Sequence, residues 1–270
     1  MFTNMPKIDV ICPMYHVDWN FLTSNITSWF NELDVNRLII SFSNPDQAIF
    51  DNVYRYLIQR FTDGEVHLFD HRHHKTLGKC LVELMDHVET DWFAYVHSDV
   101  ELTPFCFNIM QNLMNGKTGI IESERLHYDG VKYTYDPYYF SARAYSGFQI
   151  IRKEAIQKGI DIIEDDYLYR NEDMIFQNIC EQAGFEYVKT LAMHIHQLTT
   201  TKKWTFERFD TYDMQWRGLV KYTTPTDVTV QACLDALRVC VNEFGADMND
   251  TVDSMPSNWQ LALITKLLQT

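Results

Sequence analysis

With 270 residues, 46% of them hydrophobic and 14% aromatic, the chain is long enough to bury a substantial core and too apolar to be disordered. Its 23 basic and 37 acidic residues leave a formal charge of -14, which disfavours nonspecific attraction to nucleic acid or to an anionic membrane surface. The six cysteines (Cys12, Cys80, Cys106, Cys180, Cys233 and Cys240) lie far apart with no C-x-x-C, which excludes a zinc ribbon and favours reduced thiols in a cytoplasmic protein.

Lys7 to Pro13 is a short β-branched run stopped by proline, a first parallel strand with Pro13-Met14-Tyr15-His16 as the loop at its carboxyl end. Trp19, Leu22, Ile26, Trp29, Phe30 and Leu33 recur at helical spacing and return the chain to a second strand, Arg37 to Phe42. Ser43-Asn44-Pro45-Asp46 opens a second helix, Glu65 to Asp70 is a third strand, and Leu77 to Val88 is a third helix. Trp92 to Val96 is a fourth strand. This alternation implies a doubly wound, mainly parallel sheet with helices on both faces.

Beyond Pro104 the rhythm loosens. A helix over Phe105 to Met114 and a strand over Gly119 to Glu124 lead into a tyrosine-rich stretch, Arg125 to Tyr145, that reads as a long loop or hairpin. A strand from Ser146 to Arg152 enters a helix near Lys153. Asn171-Glu172-Asp173 then opens a helix that ends at Ala183-Gly184-Phe185, which puts two carboxylates at its positive end. Strands follow around Glu186 to Thr190 and Ala192 to His196. The expected division is a domain over 1–197 and a mostly helical appendage over 198–270, with helices near Asp227 to Phe244 and Asn258 to Leu268.

No apolar run has the length needed to span a bilayer, so the chain is expected to be soluble, with at most peripheral membrane contact. Asn25-Ile26-Thr27 and Asn249-Asp250-Thr251 match the glycosylation sequon but follow no secretory signal, and are read as coincidental.

The densest chemistry lies at the end of the fourth strand. In Tyr95-Val96-His97-Ser98-Asp99-Val100-Glu101-Leu102-Thr103-Pro104, Asp99 and Glu101 offer oxygen donors one residue apart, with His97 beside Ser98. That set suits a hard divalent cation that also holds a phosphate, and the carboxyl ends of strands are where open α/β sheets bind ligands. His71, His73 and His74 fit no tetrahedral zinc site. Arg72 and Lys75 are candidate diphosphate contacts, while Glu164, Asp165 and Asp166 read as a solvated acidic run. The aromatic set Tyr128, Tyr133, Tyr135, Tyr138 and Tyr139, with Asp129, is a candidate platform for a sugar acceptor.

In chain order the motifs are Pro13-x-Tyr15, Gly78-Lys79, His97-Ser98-Asp99-x-Glu101, Ser146-Gly147-Phe148-Gln149, Glu172-Asp173, Ala183-Gly184-Phe185 and His194-x-His196. This series resembles the inverting glycosyltransferases of the GT-A fold, of the family 2 type that includes rhamnosyltransferases, over Lys7 to about Gln197. The resemblance implies a nucleoside-diphosphate sugar donor, a saccharide or lipid-linked glycan acceptor, and a Mn²⁺ or Mg²⁺ ion on the diphosphate. It implies Asp99 as the principal metal ligand, with His97, Glu101, His194 and His196 as further donors. It also implies Asp173 as the general base, with Glu172 orienting the acceptor or the base. Pro13, Tyr15 and Asn44 would line the nucleotide site, and Gly78, Lys79, Ser98 and Gly147 would lie along the donor. The chain departs from the family pattern twice: His97 stands where an acid is usual, and Ser43-Asn44 where the second strand usually ends in Asp.

Two other readings compete. A nucleotidyltransferase would need a Gly-rich phosphate loop after the first strand, which Pro13-Met14-Tyr15-His16 lacks. A non-catalytic nucleotide- or carbohydrate-binding protein on the same scaffold is motivated by His97 and Ser43-Asn44.

Overall fold

Near-continuous apolar runs become strands here because helices cover both faces of the sheet they form. The computed structural model describes residues 6–14, 17, 19–62, 64–72, 77–128, 133–135, 147–157, 159 and 172–197. The first half alternates as expected: β1 (Ile8–Met14), α1 (Trp19–Glu32), β2 (Val35–Phe42), α2 (Gln47–Arg60), β3 (Val66–Asp70), α3 (Leu77–Asp86) and β4 (Trp92–Val96). The second half comprises β5 (Val100–Leu102), α4 (Cys106–Gln111), β6 (Thr118–Tyr128), β7 (Tyr133–Tyr135), β8 (Phe148–Arg152), α5 (Lys153–Gln157), α6 (Glu172–Gln182) and β9 (Glu186–Gln197).

The described strands join one mixed sheet in the order β3-β2-β1-β4-β8-β6-β9-β5, with β7 paired to β6. The first four are mutually parallel. β8 runs antiparallel between β4 and β6, and β9 is parallel to β6. The chain leaves β1 toward β2 on one side and reaches β4 on the other, so the carboxyl ends of β1 and β4 flank the switch point where such sheets bind ligands.

Alternation along the strands divides the core in two. Ile8, Val10, Cys12 and Met14 face Leu22, Ile26 and Trp29 of α1, Val53 and Leu57 of α2, and Phe107 and Met110 of α4. On the opposite face Ile11, Ile39, Phe93 and Tyr95 meet Leu81 and Leu84 of α3, Ile156 of α5, and Phe176 and Ile179 of α6. Asp9 is fully buried and ties β1 to β2 and to the turn before β4 through Arg37 (3.1 Å) and the Glu89 and Thr90 amides. Burial pushes its carboxyl up, but bonds from Arg37, Glu89, Asn36 and Thr90 outweigh that and hold it below the usual carboxylate value.

Local signals placed several boundaries. Asp46 caps α2 by accepting from the Ala48 and Ile49 amides, and Gly184 ends α6 with φ of +87°, a conformation only glycine adopts without strain. Cys12, Cys80, Cys106 and Cys180 are buried free thiols; Cys233 and Cys240 lie outside the described residues. Among the described residues no helix is long and apolar enough to cross a membrane.

The structure differs from the sequence expectation at β5 and β9, as well as at the end of β1. Val100–Leu102, to which the sequence reading assigned no element, is a short strand antiparallel to β9, with Val100 and Leu102 buried on either side of Glu101. The two strands expected over 186–196 are one strand. Between Glu122 and Glu124 of β6 the register on β9 jumps from Lys189 to Met193, so extra β9 residues are absorbed in a bulge where the apolar pattern breaks. The stretch expected as a loop or hairpin begins as one, with Tyr133–Tyr135 paired to Leu126–Tyr128. The appendage over 198–270, with its expected helices, lies outside the described residues.

Candidate active site

The acidic motif occupies a turn between β4 and β5 that neighbouring elements clamp through hydrogen bonds. The His97 amide donates to Gly147 O (2.8 Å) and the Val100 amide to His97 O (3.2 Å). From α1, Asn25 Nδ2 donates to Ser98 O (2.8 Å) and to Gln197 Oε1 (2.9 Å), and Trp29 Nε1 donates to Val100 O (2.9 Å). From β9, the Gln197 amide donates to Asp99 O (2.9 Å). The sequence reading treated Asn25 as part of a coincidental sequon. The residue is fully buried and links α1, the turn and β9. Replacing it with the similarly sized leucine strips two buried acceptors of their donor. Asn25→Leu is expected to lower unfolding free energy by about 2 kcal/mol or more. Urea denaturation of the two proteins measures it, and equal midpoints would show that the clamp is dispensable.

The clamp brings together one ligand atom each from His97, Asp99 and His196, all within 4.8 Å of one another. Asp99 and His196 are buried, with His196 Nε2 lying 3.1 Å from Asp99 Oδ2. The Tyr95 hydroxyl lies 2.9 Å from His97 Nε2 and holds that ring by one nitrogen, as metal-binding histidines are commonly held. Arg125 Nη1 lies 3.1 Å from His196 Nδ1. The charge of Asp99 reaches Cys12 at the end of β1: burial pushes that thiol up, and Asp99 pushes it further. The donor set, two imidazoles and a carboxylate opening beside the switch point, fits a divalent transition ion.

Glu101 and His194 lie outside this cluster. Glu101 is half-buried on β5 and accepts from Gln197 Nε2 (3.2 Å); burial pushes its carboxyl up, with the Gln197 bond opposing. His194 is fully buried, with Nδ1 2.7 Å from Ser123 Oγ and its ring against Phe148.

Asp173 sits buried in the first turn of α6. It borders a polar network inside the sheet that sequence reasoning missed. Glu122 on β6 accepts from Gln149 Nε2 (2.9 Å) and the Tyr187 hydroxyl (2.8 Å), and lies 3.6 Å from Lys189 Nζ. Burial pushes the Tyr187 phenol up, Glu122 adds to that, and the charges of Asp173 and Glu124 push it further. The available signal was Glu122 itself, a carboxylate directly after Ile120-Ile121 in an apolar strand.

Pro13 lies within β1 rather than after it. Beyond Ile11 that strand has no partner on β4, so the missing N–H breaks no ladder bond on that side. Asn44 follows β2, and its Oδ1 accepts from the Asp46 amide (2.9 Å) ahead of α2. Gly78 and Lys79 occupy the first turn of α3, the glycine buried and the lysine half-buried. Ser98 is buried in the turn. At Gly147 an added Cβ would stand 2.7 Å from Val100 Cγ2 and 3.4 Å from His97 Nδ1, so the close approach the glycine permits is to the turn itself. Arg72 pairs with Asp70 (2.6 Å) and stacks on Phe50. Tyr15, His16, His73, His74, Lys75, Asp129, Tyr138, Tyr139, Ser146, the acidic run at Glu164-Asp165-Asp166, Asn171 and the side chains of Tyr133, Tyr135 and Glu172 lie outside the described residues.

No family model matches the chain, and no curated protein matches its sequence. Its fold does match solved structures. One is the mannosyltransferase PcManGT from Pyrobaculum calidifontis in complex with GDP-Man and Mn²⁺, with TM-score 0.57 and 10% identity over 99% of this chain and 75% of that one. Another is S. aureus TarS 1-349 in complex with UDP-GlcNAc, with TM-score 0.55 and 11% identity over 98% of this chain and 81% of that one. The mixed sheet flanked by helices is therefore of the GT-A type.

Proposed function

We propose that the chain is a metal-dependent glycosyltransferase that moves a sugar, with inversion, from a nucleoside-diphosphate sugar to a hydroxyl of a saccharide or lipid-linked glycan. The observation that carries this reading is the convergence of His97, Asp99 and His196 at the end of β4, beside the switch point of a sheet of the GT-A type. The sugar nucleotides named for PcManGT and TarS support the donor class. The four buried free thiols agree with work in the cytoplasm.

In this reading Asp99, His97 and His196 would hold the ion, which would supply positive charge to neutralise the departing diphosphate. Two nitrogen donors favour Mn²⁺ over Mg²⁺, which prefers an all-oxygen shell. Asp173 takes the proton from the acceptor hydroxyl as its oxygen attacks the anomeric carbon from the face opposite the diphosphate. Glu172, beside it at the start of α6, orients the acceptor. Pro13, Tyr15 and Asn44 border the nucleotide, while Gly78, Lys79, Ser98 and Gly147 border the sugar and diphosphate.

Proton NMR of reactions with α-linked UDP- and GDP-hexoses, Mn²⁺ and a mixed glycan acceptor pool tests this. A β-configured anomeric signal growing as the donor is consumed is the expected result. An α-configured product would refute inversion, and an unconsumed donor across the panel would refute transfer.

A further inference from the structure

Resting on the metal-site reading, we propose that Gln197 is a positioning residue that fixes the separation of Asp99 and His196 through a directed chain of side-chain amides. Asp99 stands on the turn after β4 and His196 near the end of β9, so neither element alone sets how far apart they lie. Gln197 follows His196 directly, and its backbone amide donates to Asp99 O (2.9 Å). Its side chain ties this junction on two sides. Oε1 accepts from Asn25 Nδ2 of α1 (2.9 Å), and Nε2 donates to Glu101 Oε2 of β5 (3.2 Å). Gln197 and Asn25 are both buried, and Glu101 is half-buried.

The direction of the chain is set at one end by a group that cannot donate. Ser98 O is a carbonyl, so the Asn25 atom 2.8 Å from it is the amide nitrogen. The second partner of that nitrogen must also accept, so Gln197 turns its oxygen to Asn25 and its nitrogen to Glu101, which accepts and ends the chain. The peptide groups on both sides of the Asp99 Cα are thereby held, the first by Asn25 at Ser98 O and the second by Gln197 at Asp99 O. That fixes the direction in which the Asp99 carboxylate leaves the turn. Glu101 gains a role outside the ion's shell, as the anchor of the amide beside His196. Ligands already at the right separation lose no binding free energy to being ordered.

Calorimetry of the full chain with Mn²⁺ alone, with urea midpoints taken on the same preparations, tests this in Gln197→Met, Gln197→Glu and the exchanged pair Gln197→Glu/Glu101→Gln. Methionine keeps the length of the side chain and deletes its amide, and Mn²⁺ should bind that variant about tenfold more weakly. Gln197→Glu sets two carboxylates against each other and should also weaken Mn²⁺, although it adds a negative charge near the cation. The exchanged pair restores the order of donors and acceptors, since the carboxylate moved to position 197 accepts from Asn25 and from the amide moved to position 101. Its affinity should return close to wild type. A merely structural role would lower urea midpoints and leave the Mn²⁺ affinity of the folded proteins unchanged. Wild-type affinity in folded Gln197→Met, tighter binding in Gln197→Glu as charge alone would give, or an exchanged pair no better than Gln197→Glu would overturn the role of Gln197 while leaving the metal site standing. If Gln197→Met does not fold, the comparison of Gln197→Glu with the exchanged pair decides. Failure of wild type to bind Mn²⁺ would overturn the metal site and this proposal together.

Discussion

Asp99→Ala is expected to abolish metal-dependent donor binding, weakening Mn²⁺ by a factor on the order of 10² or more. Asp99 is the carboxylate of the triad; His97 and His196 bring no negative charge to a divalent ion. The alanine variant also removes the buried carboxylate 3.1 Å from His196 Nε2, and losing a buried polar contact costs about 1–3 kcal/mol. Asp99→Asn separates the two effects: its amide still offers a hydrogen-bond partner to that ring nitrogen, but the charge is gone. The asparagine variant should therefore unfold near the wild-type midpoint and still fail to bind Mn²⁺ in calorimetry. Unchanged Mn²⁺ and donor affinity in both variants would remove Asp99 from the metal centre.

Asp173→Asn is expected to cut turnover by a factor on the order of 10² or more, with donor affinity close to wild type. The carboxylate lies in the first turn of α6, where the positive end of the helix favours its charge, and it borders the Tyr187 and Glu122 network. Asparagine keeps the shape and the capacity to accept a hydrogen bond but cannot take a proton from an attacking hydroxyl. A loss of kcat with little change in donor Kd identifies a base. A turnover near wild type would place the base at another residue, and a parallel loss of donor binding would mean that Asp173 supports the donor site instead.

The scaffold was largely legible because its signals are local. Apolar runs bounded by Pro45 and Pro104, the capping Asp46 and the terminating Gly184 marked elements without any knowledge of their partners. β5 was missed because three residues are too few to show alternation, and β9 was split because its bulge interrupts the pattern. The site was legible as a list of donors and not as a selection among them. Which of Asp99, Glu101, His97, His194 and His196 converge depends on contacts such as Asn25 to Gln197, 172 residues apart in sequence, and Arg125 to His196, 71 apart. Such pairs leave no periodic trace. Tyr95 was read as one more apolar strand residue, although its hydroxyl fixes His97.

The central claim, a metal-assembled sugar-nucleotide site at the end of β4, is tested most directly by calorimetric titration of the full chain. The ligands are a panel of nucleoside diphosphates and diphospho-sugars, with Mn²⁺ and again with EDTA. Saturable binding of one nucleotide class that EDTA abolishes is the expected result. Binding that survives EDTA, or no binding under either condition, would contradict it.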